Sequence, residues 1–257
     1  MSLGDALGLL VSSGKGGVGK SIISIGLADE LAQRGPTAML DLDTRSPNLP
    51  YLLGMSRDVR IDAAGNPFPK VHDFRGHAVP VYSNGFLAED GVPVTMPGEE
   101  VRSAIAGAVV AVRWPDGIRW AVLDVDPAPG DSIAASVQWF RRLAAFVVTA
   151  SDLSSVQDCD RMISALREAG VSVLGVVGNM IRGTCPHCGA AIAYGEEGPA
   201  SDLARRRGVR YVGSLPWHPD FRNRPLWAVE NLGGAVFRDM ADLVEEAERR
   251  WNRSGGA

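Results

Sequence analysis

One segment constrains this chain more than any other: Gly14-Lys15-Gly16-Gly17-Val18-Gly19-Lys20-Ser21. It fits G-x-x-x-x-G-K-[ST] and stands between an apolar run, Leu7–Ser12, and a helical stretch, Lys20–Arg34. That strand–loop–helix setting is the context the motif requires. Glycines let the backbone curl so that successive N–H groups point inward at phosphate oxygens. The helix that follows adds the positive end of its dipole. In such a loop Gly14, Lys15, Gly16, Gly17, Val18, Gly19, Lys20 and Ser21 would cradle a nucleotide. Lys20 would reach the β- and γ-phosphates and Ser21 would ligate Mg²⁺. The bland alternative is a glycine-rich turn that binds nothing.

Around the loop, short apolar runs alternate with helical stretches. Thr37–Leu42, Trp120–Val125, Ala144–Ala150 and Val171–Val177 read as strands, and Ser155–Ala169 as a helix closed by Gly170. This alternation predicts an α/β fold: a doubly wound, mostly parallel sheet with helices on both faces. Continuous apolar strands fit burial on both faces. A length of 257 residues suits one large domain, 1–257. Two irregular stretches interrupt it: a loop-rich segment 56–98 with one strand at His77–Tyr82, and a cysteine-bearing loop 183–199. Phe237, Met240, Val244, Ala247 and Trp251 recur at helical spacing, which predicts a C-terminal helix packed on the core. Its polar face carries Glu245, Glu246 and Glu248 beside arginines, unlike a basic membrane-binding face. Arg253–Ala257 reads as a frayed tail.

Composition removes several function classes. A net charge of −4 argues against a basic coat for nucleic acid, so no nucleic-acid partner is expected. No window approaches the length of a transmembrane span, and Met1–Leu9 lacks the basic start of a signal peptide. Three cysteines do not make a disulfide scaffold. The expected location is the cytoplasm, where thiols stay reduced.

Phosphoryl transfer needs acids at strand ends. Asp41 and Asp43 close the second strand, and Asp124 follows the apolar run Trp120–Leu123. Cys185 and Cys188 form a C-x-x-C pair that presents two thiolates to one metal centre. An iron-sulfur cluster or structural Zn²⁺ usually takes four ligands. Only Cys159 remains, in a predicted helix, where a buried or surface thiol is expected rather than a ligand. The count closes when two chains each contribute Cys185 and Cys188. Four thiolates suit Zn²⁺ as well as Fe–S. A redox pair is a third reading, although such pairs normally open a helix, and here Gly189 and alanines follow. His187 is expected to face solvent.

Lys15 is a second lysine inside the loop. K-G-G-x-G-K-[ST] resembles the deviant Walker A loop of the family that includes MinD, ParA, the nitrogenase iron protein and the Mrp-type iron-sulfur carriers. The resemblance implies a homodimer in which Lys15 crosses to the partner's nucleotide; a solvated loop lysine is the alternative. It implies that Asp43 positions the attacking water, that Asp41 lies near the hydrated Mg²⁺, and that Asp124 is the Walker B acid. A turn cap is the alternative for Asp41 or Asp43. It further implies Asn179 against the adenine edge and the backbone at Pro216 beside the base; a turn former is the alternative for Asn179.

The stretch Asp124-Val125-Asp126-Pro127-Ala128-Pro129-Gly130-Asp131 is similar to the Mrp pattern D-x-P-P-G-T-G-D. Asp126 replaces a proline and Ala128 replaces the switch II glycine, which predicts slow hydrolysis. Gly178-Asn179-Met180 followed by Cys185-Pro186-His187-Cys188-Gly189 resembles E-N-M…C-P-x-C-G, with Gly178 in place of the glutamate. Asn48–Gly54, Tyr82–Leu87 and Tyr211–Pro216 resemble further family segments. The phosphate loop together with C-P-x-C-G is similar to the Mrp-type subfamily. That resemblance implies an ATPase that holds a [4Fe–4S] cluster between two chains and passes it to apo iron-sulfur proteins. Two other classes stay open. A MinD/ParA-like positioning switch would need a basic amphipathic tail or patch. An ATP-coupled reductase like the nitrogenase iron protein would draw on cysteines far apart in sequence.

Overall fold

The strand that enters the phosphate loop, β1 (Leu7–Ser13), is buried along its whole length. In the computed structural model, which describes residues 3–43, 46–86, 98–127, 130–185, 187–188, 190–193 and 198–254, two parallel neighbours flank it. These are β5 (Trp120–Val125) and β6 (Arg142–Thr149). Side chains of the three strands alternate between two apolar layers. Leu10, Leu123 and Ala145 enter one core. Leu9, Val122 and Phe146 enter the other. Helices α3 (Gly98–Val110), α4 (Asp131–Trp139), α5 (Leu153–Glu168) and α6 (Gly198–Arg207) carry residues of the first core. Helices α1 (Lys20–Ala32), α8 (Pro225–Leu232) and α9 (Gly234–Ser254) carry residues of the second. The doubly wound α/β expectation is met.

Among the described residues nine strands form one sheet. β2 (Thr37–Leu42) pairs with β5, β4 (His77–Ser83) lies outside β2, and β3 (Lys70–Phe74) closes that edge antiparallel to β4. On the other side β7 (Ser172–Thr184) follows β6, and β9 (Arg210–Trp217) pairs with β7 in parallel. Two short helices, α2 (Leu49–Leu52) and α7 (Asp220–Asn223), follow β2 and β9.

Several expectations need correction. β7 does not stop at Val177; it runs to Thr184 and pairs there with a short antiparallel strand, β8 (Ala191–Ala193). Gly183 pairs with Ile192 on one edge and with Trp217 on the other, so β8 takes the edge that β6 leaves after Thr149 meets Gly178. Backbone pairing, which asks nothing of side-chain polarity, holds this extension, so apolar patterning did not reveal it. The segment 183–199 is therefore partly a hairpin, with 194–197 outside the described residues. In 56–98 the strand at His77 has a hairpin partner, β3, whose polar edge position hid it; residues 87–97, Leu87 among them, lie outside the described set. The last helix reaches Ser254 rather than fraying at Arg253. Its Glu248 is buried, not on an open polar face, and accepts from Arg119 at 3.0 and 2.7 Å. Arg119 also lies 3.9 Å over the Trp120 ring.

Candidate functional site

The phosphate loop leaves the C-terminal end of β1 at the middle of the sheet, between β5 and β6. Open α/β sheets bind ligands at that edge. Two glycines are required sterically. A Cβ on Gly14 would lie 2.1 Å from the backbone of Asp158 in α5. Gly19 has φ +88° as the N-cap of α1, and a Cβ there would lie 2.1 Å from Asn179 Nδ2. Gly16, Gly17, Gly19, Lys20 and Ser21 line a cleft of about 560 Å³ whose far wall holds Asp43, Ser46, Asn48, Tyr51, Leu52 and Pro127.

Lys20 is buried, with Nζ 3.9 Å from Asp43 Oδ2. Asp43 Oδ1 accepts from the Ser46 amide at 3.0 Å, so this acid both caps a turn and faces the loop lysine. Strand register sets the remaining acids. Asp41 is level with Asp124 on one neighbour and with Ser83 on the other. Asp41 Oδ2 accepts from the Ser83 hydroxyl at 2.9 Å and the Leu49 amide at 3.1 Å, and Oδ1 from the Asp43 amide at 3.2 Å. Three protein donors thus occupy it, and it braces the turn into α2. Burial, and then the Asp124 carboxylate, push its pKa well above the ordinary carboxylate range.

Asp124 differs. It is 1% exposed and its Oδ1 has no hydrogen-bond partner among the described residues. Burial raises its pKa to about 6 against the pull of Lys20 and of the Ser21 and Ser24 hydroxyls. A buried, orphaned carboxylate oxygen near a serine hydroxyl is a hard-oxygen donor set of the kind Mg²⁺ takes. Ser21 and Asp124 therefore fit that ion better than Asp41, whose oxygens are already engaged. Ala128 and Pro129 lie outside the described residues.

Lys15 points away from the cleft. Its Nζ donates to Asp152 Oδ1 at 3.3 Å and to Ser154 Oγ at 3.1 Å, 137 residues or more along the chain. Asp152 is the N-cap of α5, accepting from the Ser155 amide at 2.9 Å. The Ser154 and Ser155 hydroxyls hold its carboxyl well below the usual range. Sequence reasoning missed this partner, although an aspartate just before a helix is an N-cap signal.

Asn179 lies within β7 rather than after it, 5% exposed, and its Nδ2 donates to the Val18 carbonyl at 2.8 Å. Pro216 is half-buried near the end of β9. Cys185 follows Thr184 directly, and its amide donates to the Ala190 carbonyl at 2.8 Å. Cys188 and His187 are exposed; Pro186 and Gly189 lie outside the described residues. The backbone amides of Cys188 and His187, and the Cys188 thiol, lower the Cys185 pKa. Cys159 is buried in α5 and donates to the Val148 carbonyl at 3.2 Å, apart from the pair.

Residues 7–229 match the family described as the NUBPL iron-transfer P-loop NTPase, ParA. The chain belongs to this family. Over 216 residues it is 32% identical to the iron-sulfur cluster carrier protein of Pyrococcus horikoshii, covering 81% of this chain and 73% of the relative. It is 34% identical to the human cytosolic Fe-S cluster assembly factor NUBP2 over 216 residues, 82% and 79% of the two chains. A solved nucleotide-binding protein from Archaeoglobus fulgidus, in complex with ADP, superposes with TM-score 0.67 at 26% identity, over 89% and 87% of the chains. The cell division ATPase MinD of Pyrococcus furiosus, at 20% identity and TM-score 0.63, covers 95% and 99% and shares the fold. Among its described residues the chain has no helix long and apolar enough to cross a membrane.

Proposed function

We propose that the chain is an ATP-binding iron-sulfur cluster carrier of the cytoplasm. It holds a [4Fe–4S] cluster as cargo between Cys185 and Cys188 of two copies, passes it to apo-proteins, and hydrolyses ATP slowly. The observation that carries this reading is the place of the thiols. They sit on a turn at the end of β7, beyond the sheet's C-terminal edge, while the phosphate loop opens on the same edge. Among the described residues no group of three or more His, Cys, Asp or Glu side chains converges on one point, so a four-thiolate centre needs a second copy. The names of the relatives agree with this cargo.

In this reading the glycine-rich backbone and Lys20 bind the triphosphate, and Ser21 with Asp124 would hold Mg²⁺. That ion would neutralise charge on the phosphate oxygens. Asp43, already across the cleft from Lys20, orients the attacking water. Asp41 holds the turn that carries Asp43. Lys15 leaves Asp152 to reach the partner's nucleotide in the homodimer.

Anaerobic reconstitution with iron and sulfide tests the cargo. Wild-type protein is expected to bind iron and sulfide at about one cluster per two chains, with brown absorbance that Cys185→Ala abolishes. Zinc alone, or no metal, would replace this reading with a structural metal site or a bare nucleotide switch.

A further inference from the structure

β7 touches the phosphate loop through Asn179 and ends in the thiol turn. Met180 follows Asn179 directly in the strand. Asn179 donates to the Val18 carbonyl at 2.8 Å, and its Nδ2 fills the space above Gly19. A Cβ built on Gly19 would lie 3.9 Å from the Met180 methyl, Cε, so this side chain flanks the same space. Gly19 is the N-cap of α1, so both residues bear on the place where phosphate would meet the helix.

The strand is irregular immediately after this contact. Asn179 is level with Leu215, yet Gly183 is level with Trp217, so β7 accommodates extra residues between them. Met180 has φ +56°, in the left-handed region. For a residue with a side chain this costs about 1–2 kcal/mol and persists only where the surroundings impose it. Arg75, the other such described residue, sits in the β3–β4 hairpin turn, where this conformation is ordinary. Met180 instead lies inside a strand, between two pairing partners. Among the described residues, β6 pairs as far as Gly178, and β8 pairs from Arg182 onward, where its last residue Ala193 lies. From Asn179 to Cys185 is on the order of 20 Å at most along an extended strand.

We propose that the Asn179–Met180 step is a positioning device that couples nucleotide at the phosphate loop to the setting of the Cys185–Cys188 turn. The inference rests on the carrier reading and assigns its regulation to named residues. The two states are physical. With the loop in its present form, Val18 and Gly19 hold Asn179 and Met180 as observed. A loop rearranged around phosphate shifts Val18 O and the Gly19 cap. That frees Met180 to relax toward the β region, which changes the length and direction of the strand that ends in Cys185. The thiol turn then alters its exposure and its reach toward a second copy. A ligand shifts such an equilibrium only by its differential affinity for the two states, and the strain at Met180 supplies a difference of the right size.

The test uses the full chain, iron-free and reduced, with alkylation of Cys185 and Cys188 followed by peptide mass spectrometry, with and without ATP and Mg²⁺. Wild type is expected to change its alkylation rate by about fivefold or more on nucleotide addition, the low end of ordinary coupling. Met180→Gly, which accepts the left-handed conformation without strain, and Met180→Ile, which resists it, are both expected to cut that change below about twofold, with nucleotide affinity falling in the glycine variant and rising in the isoleucine variant. Folding is checked by circular dichroism, and either variant that folds suffices. A wild-type rate that ignores nucleotide overturns the inference, as does an undiminished effect in a folded variant. Iron analysis runs separately. Protein that never loads iron but shows nucleotide-sensitive thiols would sink the cargo reading and leave the coupling standing.

Discussion

A carboxylate enclosed beside a second carboxylate is costly to ionise, and Asp124 is such a group, level with Asp41 on the adjacent strand. Its folded pKa, about 6, lies above the ordinary 3.8. The sign follows from linkage: a raised acid adds stability that is complete below the unfolded value and lost as pH rises through the folded one. Nucleotide-free protein is therefore expected to lose stability between roughly pH 4 and 6, with Asp41 acting in the same direction. Asp124→Asn removes the buried charge. It is expected to raise stability at pH 7.5 by about 2 kcal/mol, to flatten that pH slope, and to abolish hydrolysis. Thermal melts of both proteins from roughly pH 4 to 8 check this. A variant less stable than wild type at pH 7.5 would show that the carboxylate is already compensated in the folded state.

Helix starts organise both halves of the site. α1 begins at a glycine whose φ and close neighbour exclude any side chain. Gly19→Ala is expected to displace Asn179, destabilise the fold by more than about 1 kcal/mol, and weaken nucleotide binding. Urea titration and a fluorescent-nucleotide titration read the two effects, and wild-type values in both would contradict the packing described. α5 begins at Asp152, which caps the helix and holds Lys15. Asp152→Ala is expected to lower stability by about 1 kcal/mol through the lost cap, whereas Asp152→Asn keeps an acceptor and loses far less. Equal losses in the two variants, measured by urea unfolding, would argue against the cap. The Lys15–Asp152 pair itself is about half exposed, so its own contribution to stability is small.

For the assembled molecule the decisive quantity is what a second copy supplies. The Lys15 ammonium is held by Asp152 and Ser154 at the start of α5. If it acts across a dimer, Lys15→Ala should reduce turnover roughly tenfold or more while nucleotide affinity changes little, because it would touch charge that develops in transfer. Parallel measurement of kcat and nucleotide Kd decides this. Unchanged hydrolysis would leave Lys15 a surface lysine tied to Asp152.

The local parts of this protein were legible early. The phosphate loop is eight consecutive residues whose glycines and lysine act through their own backbone, and the C-x-x-C pair is contiguous in the same way. Strands buried on both faces announce themselves by apolar content, so β2 and β5 have the expected bounds. Strand register has no such signature, because neighbouring apolar strands can slide without changing composition. Hence the row Ser83, Asp41, Asp124, the hold of Asp152 on Lys15, and the brace from Asn179 to Val18 had no trace in the letters. Each joins residues that only chain packing brings within hydrogen-bond range. β7 shows the division within one element. Its apolar half was evident as a strand, while the half that carries the thiols outward exists because β9 and β8 supply backbone partners, and backbone pairing is blind to side-chain identity.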